Sequence, residues 1–550
     1  MTKTKVGFVY WSCLVIILLF VTSLYAEEAD LKQKAIDAFE NENYPEAISF
    51  LQEAASKDPN DPEVWYYLGY YTHYLCYDSR PLSGYNEEWS DKVLEYLYKA
   101  VELDPDYGDA YYFIGVEHGA RLLNALPKGD LEKARKELHM GRNEGGYPDW
   151  LIEYARNMLS SCDSNAILFT GGDWDTWPTW YLQLCENYRT DVTVMPVAAL
   201  ERPWFARILK NGLGGIFASI PISWSEEQIL NMHPYKWKIR KVKIPIRRSD
   251  MERYNLAPKD SIIGFELEPD LRSKSRTYLS TKRALMVDII ETNQWKRPIF
   301  FSSLIPRKYK VGLDNYFQGC GLVIKLLPVN VKEHNLSINP AEIERVLLNP
   351  ESYQQFGDVK IHNMPRVSRI LNNYRWTLYS LASYYGENGD CEKAKEILDK
   401  MKTYMPEEAF PVPLSLKKGI KELPGYLKIK ELGIPEILLK TLSEKGIDAA
   451  VEQYNELKDK HAEYIEVCER IFNEEGYELL KKNREKEAIE VFKLNVALFP
   501  DSFNVYDSLG EAYMVAGEKE LAIKNYKKSL ELNPNNANAA EMLKKTKERK

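Results

Sequence analysis

Short apolar runs alternate with helical spacings in the middle of this chain. The run from Ala166 to Phe169 is purely apolar and has the length of a buried strand. A glycine pair and two acids follow it, and Pro178 then opens a segment whose apolar residues recur at helical spacing. A second apolar run at 192–197 and a second helical pattern at 203–209 come next. This order predicts a βαβα unit, and such units form a parallel sheet covered by helices.

The pattern continues to residue 365. It predicts helices at 225–232 and 278–292 and strands at 241–246, 261–267, 298–302 and 321–328. We therefore assign residues 163–365 to a Rossmann-like α/β domain.

The turn after the first predicted strand is the candidate binding site. Ligands of parallel sheets bind beyond the carboxyl ends of the strands, and the turn would lie at that edge. The predicted ligand-binding residues are Gly171, Gly172, Asp173, Trp174, Asp175 and Thr176. Paired carboxylates after a strand are able to hold a divalent cation. The alternative is structural, with one acid capping the following helix and the other bracing the turn.

Cofactor and metal motifs are missing from the sequence. The Gly171-Gly172 pair lacks the spacing of a dinucleotide fingerprint or a phosphate-binding loop. The seven histidines are scattered without zinc spacing, and no serine or cysteine lies in a nucleophile elbow. We therefore predict no cofactor, no metal and no catalytic residue, which favours a protein that is not an enzyme.

Small and large residues recur at fixed offsets on both sides of the central region. Near the carboxyl terminus, four positions repeat after 34 residues: Gly476, Ala488, Phe492 and Pro500 become Gly510, Ala522, Tyr526 and Pro534. Small residues suit close helix contacts, large ones fill the space beside them, and proline ends the second helix. Such 34-residue helix pairs resemble tetratricopeptide repeats, which implies protein partners.

The repeats divide the chain into arms around the central domain. We predict tetratricopeptide-like helices at 27–160, a further hairpin at 366–406, and C-terminal repeats with a capping helix at 434–550. Residues 407–433 contain three prolines and are predicted to form a linker. The predicted fold is therefore α and α/β, with two α-solenoid arms flanking the α/β domain.

The first 26 residues follow a secretory signal pattern. Lys3 and Lys5 precede an apolar run from Val6 to Val21, and an acidic pair follows. The alternative is an uncleaved anchor, because the run approaches the length that spans a bilayer. We expect an extracytoplasmic protein, periplasmic or secreted, that contacts the membrane only if this segment is uncleaved. Export permits disulfides, and Cys162 with Cys185 is the most favourable pair.

The charge pattern narrows the classes of partner. A net charge of −8 makes nucleic acid a poor partner. One basic stretch alternates with apolar residues and contains Lys236, Lys238, Arg240, Lys241 and Lys243. It indicates a strand with a cationic face for anionic glycans or lipid headgroups, or alternatively a face that is only solvated.

Three passages resemble one known family. They read NAILFTGGDWDTWPTWYLQ with RTDVTVM (165–195), ALMVDIIETNQWKRPIFFSS (284–303) and YFQGCGLVIKLLP (316–328). Their order and spacing resemble the soluble C-terminal domain of bacterial protein O-mannosyltransferase-like membrane proteins. Asp173, Asp175, Thr176 and Pro178 match the acidic run of that family. A glycine stands where the family has asparagine before the first acid.

The resemblance implies the fold, an extracytoplasmic location and a link to surface glycosylation. It does not imply glycosyl transfer, because this sequence lacks the many-span membrane part that carries the catalytic acids of that family. We expect an exported interaction scaffold with a ligand- or glycan-binding α/β domain, accessory to envelope assembly or protein glycosylation. Two alternatives stay open: a glycan-active transferase or hydrolase that uses Asp173 and Asp175, and a purely structural solenoid.

Overall fold

The computed structural model describes residues 29–78, 87–214, 217–356, 364–462 and 465–548. The chain divides into two compact units, Met1–Thr377 and Leu378–Lys550. The predicted signal segment lies outside the described residues. Within the described ranges, no helix combines the length and the apolar character that crossing a bilayer requires.

Helices in antiparallel hairpins form the N-terminal part of the first unit. They are α1 (29–40), α2 (Tyr44–Lys57), α3 (Pro62–His73), α4 (Glu87–Leu103), α5 (Gly108–Ala125), α6 (Leu131–Asn143) and α7 (Asp149–Ser160). Gly69 on α3 packs against Leu97 on α4, and a Cβ atom added at Gly69 would lie 2.7 Å from the Leu97 side chain. The small residue thus lies where two helices approach closely, as the repeat pattern predicts.

Strands follow in the central region. They are β1 (Ile167–Thr170), β2 (Thr193–Pro196), β3 (Tyr235–Lys236), β4 (Arg240–Pro245), β5 (Ile262–Leu267), β6 (Leu271–Ser273), β7 (Arg276–Leu279), β8 (Ile299–Ser302), β9 (Phe317–Cys320) and β10 (Val323–Leu326). The main sheet has the order β2-β1-β8-β10-β9, and two small sheets have the orders β3-β7-β6 and β4-β5.

The main sheet is mixed, which corrects the expectation of a wholly parallel sheet. β1 pairs in parallel with β2 and β8, whereas β10 pairs antiparallel with β8 and β9. The reason lies at Gly321, whose φ of 73° starts a two-residue turn from β9 to β10. Residues 321–328 were expected to form one strand, but the strand begins only at Val323.

Helices accompany these strands along the chain. They are α8 (Asp173–Glu186), α9 (Pro203–Asn211), α10 (Glu226–Leu230), α11 (Arg248–Arg253), α12 (Thr281–Asn293) and α13 (Pro340–Leu347). Trp180 on α8 is fully buried, and its ring contacts Phe205 and Phe217. Its indole N–H donates to the Val194 carbonyl of β2 at 3.4 Å, which fixes α8 against the sheet.

Helix α14 (Met364–Glu387) runs from the first unit into the second. The second unit then contains α15 (Cys391–Tyr404), α16 (Leu414–Glu431), α17 (Ile434–Lys445), α18 (Ile447–Lys460), α19 (Cys468–Lys481), α20 (Glu485–Leu498), α21 (Phe503–Val515), α22 (Lys519–Leu532) and α23 (Ala537–Glu548). Gly476 packs on the Phe492 ring, and 34 residues later Gly510 packs on the Tyr526 ring. The same helix contact therefore recurs at the predicted repeat length.

The predicted linker at 407–433 is wrong over most of its length, because α16 occupies it. The side chains of Leu416, Leu423 and Leu427 are fully buried on one face of this helix. Pro413 precedes the helix as its N-cap residue, a position that needs no backbone N–H. Pro424 lies inside the helix, so tertiary burial outweighs the helix-breaking tendency of proline.

The expected disulfide is also not formed, since all six described cysteines are free. The Cys162 thiol contacts the Met158 carbonyl of α7 at 3.6 Å, whereas the Cys185 thiol contacts the Arg135 carbonyl of α6 at 3.8 Å. Burial raises the pKa of Cys185 to about 11 and raises that of Cys162 further still.

Glu153 on α7 makes the stability of the first unit depend on pH. Burial raises the pKa of its carboxyl from the ordinary 4.5 to about 7, although the Gln355 amide N–H opposes this from 3.2 Å. Between these values the folded chain keeps a proton that the unfolded chain loses. The free energy of unfolding therefore falls as the pH rises through this window, by at most about 3 kcal/mol.

We expect Glu153→Gln to remove this pH dependence, so that the variant exceeds the native chain in stability above pH 7. The measurement is urea unfolding at pH 5 and pH 8, followed by tryptophan fluorescence. All twelve tryptophans lie at or before residue 376, so the signal reports on the first unit. Glu95→Gln, on the exposed face of α4, is the matched control. If the free energy of unfolding changed with pH equally in the native chain and in Glu153→Gln, the pH dependence would not come from Glu153.

Candidate functional site

The six predicted binding residues lie together where β1 ends and α8 begins. β1 ends at Thr170 and α8 starts at Asp173, so Gly171 and Gly172 form the whole connection. This is the carboxyl end of a strand with parallel neighbours on both sides. The helix was expected to begin near Pro178, and the structure begins it five residues earlier.

Asp175 explains the early start of α8. Its two carboxylate oxygens accept the backbone N–H groups of Gly171 and Gly172, each at 2.8 Å. The side chain is fully buried, and the Ser302 hydroxyl of β8 supplies a further hydrogen bond. Burial raises the pKa of Asp175, although these hydrogen bonds oppose the rise. Asp175 is thus a helix cap, which is the structural alternative.

Asp173 has a different environment from Asp175. It is half-buried, and one of its oxygens accepts the Tyr112 hydroxyl at 2.9 Å. The other oxygen accepts the Trp177 indole N–H at 3.1 Å. Both residues line the same cavity, but only Asp173 is partly exposed there, whereas Asp175 is fully buried. This arrangement weighs against the alternative in which Asp173 and Asp175 act as an enzymatic pair, because Asp175 is committed to backbone amides.

Asp173 and the glycine pair line two cavities. The first has a volume of about 220 Å³ and is also lined by Tyr112, Arg366 and Arg369. The second has a volume of about 380 Å³ and extends between α5 and the end of β2. The turn therefore borders open space at Gly171, Gly172 and Asp173.

Trp174 connects the turn to a third cavity. Its ring meets those of Tyr112 and Trp150 edge to face, with centroids 5.1 and 5.5 Å apart. The third cavity, of about 670 Å³, lies between the N-terminal helices and is lined by all three rings. The Trp174 indole N–H is buried and has no hydrogen-bond partner within the described part of the chain.

Thr176 and the two glycines have mainly structural environments. The buried Thr176 hydroxyl lies 2.8 Å from that of Thr170. A Cβ atom at Gly171 would lie 3.0 Å from the Ile305 Cα, whereas one at Gly172 would have no neighbour within 4 Å. Close packing therefore requires glycine at Gly171 but not at Gly172. Asp173 and Trp174 are the partly exposed functional groups of the turn.

Several cleft residues come from distant parts of the chain. Tyr112 lies on α5, and Arg366 on α14 places its guanidinium 4.2 Å from the Tyr112 ring centroid. Arg366 also pairs with Asp109 at 3.3 Å. Sequence reasoning missed these residues because α5 and α14 show only repeat periodicity. An alignment of related sequences is the kind of data that could identify them.

The basic stretch does not form one strand. Lys236 lies in β3, whereas Arg240, Lys241 and Lys243 lie in β4, which belongs to a different sheet. All five predicted basic residues, including Lys238, are exposed. Exposed basic residues alternate with buried apolar residues only within β4. The Arg240 guanidinium lies over the Trp237 ring, 3.5 Å from its centroid. This corrects the single cationic strand, because the chain turns between β3 and β4.

Metal ligands do not cluster in the described ranges. Across residues 29–78, 87–214, 217–356, 364–462 and 465–548, no group of three or more histidine, cysteine or acidic side chains is arranged to hold a metal ion.

Comparison with known families supports the repeats. Residues 32–71 and 503–536 match models described as tetratricopeptide repeat, which confirms both arms as repeat-bearing. Residues 151–234 and 230–346 match a model described as TMEM260-associated domain 2. This match overlaps the region that resembles O-mannosyltransferase-like proteins and is compatible with that resemblance without confirming it. The chain therefore carries tetratricopeptide repeats in both arms, with small sheets in its middle.

Comparison with individual proteins adds no argument about function. No curated protein matches the chain. The crystal structure of the P58(IPK) TPR domain is 12% identical, with 95% of this chain and 97% of that chain covered and a TM-score of 0.17. The crystal structure of yeast Tom70 is 16% identical, with 95% and 96% covered and a TM-score of 0.17. TM-scores this low carry no conclusion about the fold.

Proposed function

We propose that this chain is an exported scaffold that holds protein partners through its repeats and binds a saccharide at the turn between β1 and α8. The observation that carries the proposal is the open cleft at the carboxyl end of β1, where Asp173 and Trp174 form the wall. Rossmann-like character of residues 163–365 is part of the proposal. It is supported by the parallel strands β2, β1 and β8 with helices between them.

The chemistry of the cleft suits a sugar. Trp174 and Tyr112 supply flat apolar rings, and apolar rings with a few polar groups are typical of small-ligand sites. The Asp173 carboxylate accepts hydrogen bonds, which a sugar hydroxyl donates. The resemblance to O-mannosyltransferase-like proteins supports the same class of ligand and a role accessory to envelope assembly or protein glycosylation.

Export is supported by the signal pattern of residues 1–26, with its two lysines and its apolar run. Mass analysis of the mature chain tests this part of the proposal. Removal of the N-terminal segment is the expected result, and an intact segment in a membrane fraction would favour the anchored alternative.

We expect Trp174→Ala to weaken saccharide binding at least ten-fold and Asp173→Asn to weaken it several-fold. Loss of the ring removes a contact surface, and loss of the charge weakens a hydrogen bond to a sugar hydroxyl. The probes are immobilised mannosyl oligosaccharides, and affinities for hits are then measured by calorimetry on the full chain.

Trp89→Ala is the matched control, because Trp89 is 41% exposed at the start of α4, far along the chain from the turn. Circular dichroism shows whether each variant is folded. The proposal fails if no oligosaccharide binds the native chain, or if Trp174→Ala and Asp173→Asn bind as tightly as the native protein.

A further inference from the structure

The largest of the three cavities lies in the N-terminal repeats and has chemistry of its own. We call it the arm groove. Its lining includes Tyr98 of α4, Tyr111 and Tyr112 of α5, Glu144 of the turn after α6, and the rings of Trp150 and Trp174. Its volume is about 670 Å³, and its walls are mostly aromatic and aliphatic.

A single charged residue lines the arm groove among the described residues, and it is Glu144. Its side chain is 29% exposed. One oxygen, Oε2, accepts both the Tyr98 hydroxyl at 2.6 Å and the His118 ring nitrogen Nε2 at 2.8 Å. Within the described part of the chain, the second oxygen, Oε1, has no hydrogen-bond donor. The groove thus presents one carboxylate with unused acceptor capacity.

The contacts behind Glu144 keep it ionised. His118 is fully buried, and its other ring nitrogen lies 2.8 Å from Glu137. Although burial opposes both shifts, the hydrogen bonds raise the pKa of His118 and lower that of Glu144. The carboxylate that faces the groove therefore stays negatively charged. The charge of Arg121 also lowers the pKa of Glu144, and Arg121 itself pairs with Asp91 at 2.6 Å.

A carboxylate with unused acceptor capacity in an aromatic groove selects its occupant. A cation is attracted both by the carboxylate and by the faces of tyrosine and tryptophan rings. An anionic ligand would be repelled. A neutral apolar segment would leave the carboxylate desolvated without a partner, at a cost in free energy.

We propose that the arm groove binds a lysine or arginine side chain of a partner polypeptide. The cationic head pairs with Glu144, and the methylene stem lies along Tyr98 and Tyr111. A polypeptide is the occupant because the groove is built between helices of repeats that typically bind protein segments. The groove shares Tyr112 and Trp174 with the saccharide cleft, but Glu144 lines only the groove and Asp173 lines only the cleft side of the turn.

The experiment is a positional-scanning library of acetylated, amidated heptapeptides applied to the full chain. We expect lysine or arginine to be enriched at least five-fold over glutamine at one position. The best peptide is then synthesised with lysine or with norleucine at that position. Its affinity is measured by fluorescence anisotropy with the native chain and with Glu144→Gln.

Norleucine is expected to weaken binding to the native chain about ten-fold, and Glu144→Gln is expected to weaken binding of the lysine peptide by a similar factor. The norleucine peptide should bind Glu144→Gln no more weakly than either single change predicts, because both changes remove the same ion pair. Glu95→Gln on the exposed face of α4 should bind like the native chain.

The norleucine peptide tests the idea without altering the protein, so an unstable variant does not prevent a decision. Absence of enrichment for basic residues would overturn the proposal. So would a norleucine penalty of equal size in native chain and Glu144→Gln.

Discussion

Replacing Asp175 by alanine is expected to lower the free energy of unfolding of the first unit by about 3 kcal/mol. The substitution removes the acceptors of the Gly171 and Gly172 amide groups and leaves a void where a fully buried side chain packed. Each of the two lost hydrogen bonds contributes about 0.5–1.5 kcal/mol, and loss of a helix cap costs about 0.5–2 kcal/mol. These contributions overlap, so their full sum is not expected.

Urea unfolding followed by tryptophan fluorescence measures this effect, because every tryptophan lies in the first unit. Asp175→Asn keeps one acceptor and should lose about half as much. Asp149→Ala is the matched control. It is also an acid in the first turn of a helix, but its side chain is 64% exposed and pairs with Arg142. A loss below about 1 kcal/mol at Asp175 would show that the cap is unimportant.

Replacing Gly146 by alanine is expected to cost about 2–3 kcal/mol in the same measurement. A Cβ atom there would lie 2.5 Å from the Gly115 Cα and 2.9 Å from the Gly141 carbonyl oxygen. Both are backbone atoms, so the strain cannot be relieved by a side-chain rotation, and overpacking of this kind costs about 1–3 kcal/mol. The turn that bears Glu144 would have to move away from α5.

Gly319→Ala in β9 is the control for this substitution. A Cβ atom there would meet the Ile338 side chain at 3.4 Å, which is an ordinary contact. We expect a change within about 0.5 kcal/mol, because the neighbour is flexible. Equal losses at Gly146 and Gly319 would show that the close approach of the turn to α5 does not limit stability.

Local patterns predicted the elements well. The apolar run at 166–169 became β1, and the 34-residue offsets placed Gly476 and Gly510 in equivalent helix contacts. These features are visible in a sequence because strand and helix periodicities, and the need for a small residue at a close contact, act over a few residues. The proline-rich segment at 407–433 misled the prediction, since burial of leucines on α16 decided the outcome.

The candidate site was predictable only in part. Its position at the carboxyl end of β1 follows from the order of strand and helix along the chain. The different roles of Asp173 and Asp175 do not follow from that order. Asp173 and Asp175 lie two residues apart in the first turn of α8, about 200° apart around the helix axis, so one faces the cleft and the other faces the β1–α8 turn.

The sequence by itself determined the repeats, the first strand, the glycine turn and the acid pair, because each depends on neighbouring residues. The tertiary structure alone decided which acid caps the helix and that Tyr112 and Arg366 share its cleft. It also decided that His118 holds Glu144 at the edge of an aromatic groove. The physical reason is that hydrogen bonding and burial join residues far apart in the chain, and a linear pattern carries no record of those contacts.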